Sequence, residues 1–141
     1  MSATVPEPDA LPTLPSAVHR ALVLALDPAA VRDARRLIRD VCRTARLDAD
    51  TCDSAVLLTS EMVTNAFTHG GSEARLQADA DQEVIVVQVA DDNSRHPLHV
   101  PPDPQALDGR GMEIVQMVAS RWGVRDDPYG KTVWFEVRTA G

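Results

Sequence analysis

Apolar residues recur at helical spacing in some stretches of the chain and at strand spacing in others. From Asp27 to about Leu47, the residues Val31, Ala34, Leu37, Ile38, Val41 and Ala45 fall on one helix face. The opposite face carries Arg32, Asp33, Arg35, Arg36, Arg39 and Asp40, and reads as a solvated surface. Asp27-Pro28 predicts the helix start, with aspartate as N-cap and proline at the first helical position. A second helix is predicted from Asp48 or Asp50 to Gly70-Gly71, where glycine takes the left-handed cap without strain. Along it Ala55, Val56, Met62, Val63, Ala66 and Phe67 gather on one arc. Glu61, Asn65 and His69 follow each other at i, i+4 and i+8 as a polar ridge beside that arc. A third helix is predicted to begin at Gly109 and run to about Ser120, with Ile114, Val115, Met117 and Val118 as its apolar residues.

The strand-like stretches lie around these helices. Val18 to Leu26 is crowded with apolar residues and reads as a first strand. Ala74 to Ala80 alternates, and Glu83 to Ala90 is a β-branched run of the kind found at the centre of a sheet. Asp81-Gln82 joins those two as an antiparallel hairpin, and Asp91-Asp92-Asn93-Ser94 closes the second. Trp122 to Arg125 and Lys131 to Arg138 form a last hairpin around the turn 126–130. This order predicts an α+β two-layer sandwich: a mixed, mainly antiparallel sheet with three helices on one face.

Outside this pattern, Met1 to Ser16 has Pro6, Pro8, Pro12 and Pro15 among small and acidic residues, and reads as a disordered tail. The domain then covers residues 17–139. Arg95 to Asp108 holds Pro97, Pro101, Pro102 and Pro104 without periodicity, the mark of a long loop or lid.

Composition narrows the choice. The 141 residues suit one domain with a core of its own. A net charge of −7 leaves no basic stripe for neutralising a nucleic-acid backbone. Cys42 and Cys52 have no metal-ligand spacing and suit a reducing compartment. No basic apolar leader and no membrane-length apolar run is present, so a cytoplasmic protein without membrane contact is expected.

Several positions could carry chemistry. A carboxylate at Glu61 could polarise a nucleophile, and the amide oxygen of Asn65, one turn on, could complete the shell of a hard cation. Taken alone, a Glu/Asn pair at this spacing is far more often an ordinary solvated helix edge. Gly109-Arg110-Gly111 before a helix offers backbone N–H groups to an anion, or is a plain loop-to-helix junction. Asp91, at the end of an apolar strand, could accept a hydrogen bond from an exocyclic amine such as adenine's, or could cap a turn. Gly130-Lys131-Thr132 could be only the turn of the last hairpin.

In this order and spacing, Glu61-Met62-Val63-Thr64-Asn65-Ala66, Asp91, Gly109-Arg110-Gly111 and Gly130-Lys131-Thr132 resemble the GHKL ATPase superfamily with its Bergerat fold. Within that group, Val18 to Val137 is most similar to the stand-alone anti-sigma factor serine kinases. The resemblance implies ATP and Mg²⁺ as cofactors. It implies Glu61 as the catalytic base and Asn65 as the residue holding the metal. Asp91 would bind the adenine amino group, with Thr132 supporting that contact. Gly109, Arg110, Gly111 and Met112 would wrap the phosphates, with 94–108 as the lid. His69 is given a capping or packing role.

The family's Asp-x-Gly-x-Gly segment reads Asp91-Asp92-Asn93-Ser94-Arg95 here, with both glycines replaced. Two readings follow. The first is an ATP-dependent serine/threonine protein kinase that binds a sigma factor and phosphorylates a STAS-type antagonist. The second is a non-catalytic binding module that sequesters a regulator on the same fold. The intact Glu61/Asn65 pair favours the first, and the replaced glycines favour the second. The catalytic half of a sensor histidine kinase fits less well, because no helix pair with a phospho-accepting histidine is present. A homodimer is compatible with this reading, and the sequence does not reveal whether one forms.

Overall fold

Alternation along the strands decides which side of the sheet the helices cover. The computed structural model describes residues 18–25, 27–68, 72–91, 118–127 and 130–139. Within them run β1 (Val18–Ala25), α1 (Ala30–Ala45), α2 (Ala49–Thr68), β2 (Glu73–Ala80), β3 (Val84–Asp91), β4 (Arg121–Asp127) and β5 (Gly130–Arg138). The strands form one sheet in the order β1-β2-β3-β5-β4, and every neighbouring pair is antiparallel.

The expected mixed character is therefore absent from the described sheet. The reason is topological. β3 and β4 run in the same direction, but β5 lies between them and pairs with both. Two helices are described where three were expected. The third falls in 109–120, which lies outside the described residues except for its last positions. The tail 1–16, the loop 95–108, His69 and the helix stop Gly70-Gly71 also lie outside them.

On the helix side, Leu76, Ala78 and Ala80 of β2, Ile85, Val87 and Val89 of β3, and Val133, Phe135 and Val137 of β5 are buried. α1 covers β1 and β2 and meets them through Ala34, Ile38, Val41 and Ala45. α2 covers β3 and β5, with Ala55, Leu58, Met62, Val63 and Ala66 buried. Alanines on α1 and β2 let the layers approach closely. Each fully buried Leu or Ile contributes about 1.5–3 kcal/mol. Cys42 is part of this core, and burial, followed by its hydrogen bond to Cys52, pushes its thiol well above the usual range. Both cysteines are free.

The opposite face of the sheet is also partly covered. Val84, Val86 and Trp134 are buried there, as is Glu136, although no described helix packs on that side.

Two local expectations change. α1 begins at Ala30, because the Asp27 carboxylate accepts the Ala29 N–H at 2.9 Å in a turn before the helix. Phe67 is 45% exposed: it lies one residue, about 100°, round from Ala66 and beyond the buried arc. The start of α2 is as expected for Asp48, whose Oδ1 accepts the Thr51 N–H at 2.7 Å. α1 ends on Arg46 in the left-handed conformation (φ 62°), a position glycine would take with less strain.

Candidate functional site

The C-terminal half of α2 and the ends of β3 and β5 converge on one end of the domain. α2 packs on β3 and β5 directly. From Thr68 to Glu73 the chain has only residues 69–72 to cross with, at about 3.3–3.6 Å each when fully extended. β2 therefore starts near the end of α2. Ala74, next in β2, is paired with Asp91, and Asp91 with Lys131. Asn65, Asp91 and Lys131 thus belong to the same end.

On α2, Asn65 sits at the edge of the buried arc and is 7% exposed, whereas Glu61, one turn earlier, is half-buried. A largely enclosed amide beside an accessible carboxylate is a workable arrangement for holding a cation next to a reacting hydroxyl. Mg²⁺ is usually held by one or two protein oxygens together with substrate phosphates, so a single Asn65 oxygen is enough protein ligation. The helix end of the site fits Mg-ATP.

The strand end differs from the sequence reading. Asp91 ends β3 on the helix side of the sheet, below Val89. Its carboxylate already faces a cation. Lys131 Nζ lies 3.3 Å from Oδ2 and 3.4 Å from Oδ1, and the two side chains are each 3% exposed. Lys131 shares its face of β5 with the buried Val133, Phe135 and Val137, so the ammonium emerges among apolar side chains.

Thr132 takes the other face. Successive strand residues point to opposite sides, and Thr132 is paired with Ala90, so Lys131 and not Thr132 is the cross-strand partner of Asp91. The sequence reading placed Lys131 at the start of the last strand and gave a role to Thr132 alone, so this lysine was missed. The signal was available: Lys131, Val133, Phe135 and Val137 alternate as one apolar face interrupted by a charge.

Lys131 takes up part of the acceptor capacity of Asp91, whose two oxygens can each accept more than one hydrogen bond. Gly109, Arg110, Gly111 and Met112 lie outside the described residues.

A family model described as "Histidine kinase-like ATPase domain" matches residues 24–137. No curated protein sequence matches the chain. Among solved structures, the fold is similar to the RsbU and RsbW domains of Rv1364c from Mycobacterium tuberculosis, with a TM-score of 0.67 and 18% sequence identity. That match covers 86% of this chain and 32% of the other, so this chain spans about a third of the length of that relative. With the family match running from the end of β1 almost to the end of β5, the chain belongs to the histidine kinase-like ATPase domain family.

Proposed function

We propose that this chain is an ATP-binding anti-sigma factor of the partner-switching kind, acting as a serine/threonine protein kinase on a STAS-type antagonist in the cytoplasm. The observation that carries the reading is the Glu61/Asn65 pair, one turn apart on the helix that packs over the strand bearing Asp91, in a chain of this ATPase family. Bound Mg-ATP would supply the phosphoryl group and the positive charge that steadies it. Asn65 would hold the cation through its amide oxygen. Glu61, accessible where Asn65 is enclosed, would take the proton from the antagonist's serine hydroxyl as that oxygen bonds to the γ-phosphorus and the bond to the β–γ bridging oxygen breaks, so that ADP would leave. Catalysis of this type is mostly positioning and charge stabilisation, which few residues can provide.

Partner binding finds support on α1. Arg32, Arg35, Arg36, Arg39 and Arg43 are all exposed and lie along one side of the helix. Among the described residues none of them forms an ion pair. The net charge of −7 hid this basic stripe, which the sequence reading took to be absent, and the stripe suits an acidic partner surface.

The second reading, a non-catalytic module that sequesters a regulator, is favoured by the replaced glycines at Asn93 and Arg95 and by the occupied carboxylate of Asp91. Calorimetric titration with a non-hydrolysable ATP analogue, with and without Mg²⁺, separates the two. Mg²⁺-dependent heat supports the kinase reading. No heat at high protein concentration selects the binding module.

A further inference from the structure

A lysine buried beside a carboxylate at the end of a ligand-binding sheet has two possible uses. It can hold the carboxylate for the fold, or it can fill the place of a ligand's own donor. Lys131 Nζ faces both oxygens of Asp91, at 3.3 and 3.4 Å, and both side chains are 3% exposed. Asp91 is also the carboxylate through which an exocyclic amine would be read. An amine arriving there meets a carboxylate whose two oxygens both face an ammonium, so it has to share its acceptor with a full positive charge.

We propose that Lys131 is a built-in substitute for the 6-amino group of adenine. This chain then holds nucleotide by the phosphate and metal end, through Asn65, and does not select adenine by its amine. The inference rests on the proposed nucleotide binding. The ion pair also ties the strand ends together, at the paired positions Asp91 of β3 and Lys131 of β5. Selectivity at this end is set by residue 131 and not by Asp91 alone.

The test uses four titrations of the full chain by calorimetry in the presence of Mg²⁺, two ligands against two proteins. The ligands are ATP and purine riboside triphosphate, which lacks only the 6-amino group. The proteins are the wild type and Lys131→Ser, whose folding is checked by thermal unfolding. For the wild type the two dissociation constants should agree within about threefold. Lys131→Ser should bind ATP about tenfold more tightly and leave the analogue nearly unchanged.

A wild-type preference for ATP of about tenfold or more overturns the proposal, because the amine would then be read despite Lys131. Equal changes for both ligands in the variant also overturn it, and mean that the pair is structural only. The wild-type comparison needs no substitution, so it decides the matter even if Lys131→Ser does not fold. If neither protein binds either nucleotide, the proposed nucleotide binding itself fails and takes this inference with it.

Discussion

Arg138 Nε donates a 2.8 Å hydrogen bond to Oε2 of Glu136, a carboxylate that is 1% exposed on the sheet face away from the helices. Arg121, from the neighbouring strand, lies 3.7 Å from the other oxygen and 5.7 Å from the centroid of the Trp134 ring. The buried charge is thus compensated from two strands. Arg121→Met with Arg138→Met would leave it bare and should destabilise the fold by about 3–5 kcal/mol. The lower end is expected, since both guanidinium groups reach solvent. Adding Glu136→Met to that pair should recover most of the loss, and urea unfolding of the three proteins measures both steps. A double variant as stable as the wild type would show that Glu136 has no need of its cations.

Asp48 sets an acid-side dependence. Its hydrogen bonds from the side chain and the backbone N–H of Thr51 hold its carboxyl below the ordinary 3.8. A depressed folded value gives stability that is present above the unfolded value and lost as pH falls through the folded one. Asp48→Ala should therefore lower the melting temperature at pH 7, while variant and wild type converge as pH falls through the depressed folded value. Melting curves across pH 2–7 check the sign; a gap that stays constant through this range rules out the cap.

Asn65→Ala should remove most of the Mg²⁺-dependent part of nucleotide binding under the proposed role, in which its enclosed amide oxygen holds the cation. The check is an ATP-analogue titration at several Mg²⁺ concentrations. Equal affinity for variant and wild type would contradict the metal role.

Periodicity showed the sheet, the two described helices and their buried faces in the sequence, because the core residues obey one rule each. Ala34, Ile38 and Val41 repeat at helical spacing, and Ile85, Val87 and Val89 at strand spacing. What periodicity could not fix were choices made by one side chain. Asp27 uses its carboxylate in a turn and so delays α1 to Ala30. Phe67 lies on the helix yet past the edge of its buried arc. At the site, Glu61, Asn65 and Asp91 could be picked out singly, but the partner of Asp91 depends on cross-strand register. That register brings Lys131 to Asp91 from 40 positions away and sends Thr132 to the other face.

The central claim is phosphotransfer with Glu61 as base, and Glu61→Gln tests it most directly. Glutamine keeps the size and reach of the side chain and removes only its proton-accepting charge. Losing a general base typically costs about 10²–10⁴-fold in rate. Phosphate transfer from labelled ATP to the serine of a cognate STAS antagonist should fall by that factor, while an ATP titration of the same variant stays within about twofold of wild type. Undiminished transfer by Glu61→Gln, with ATP binding intact, would contradict the account.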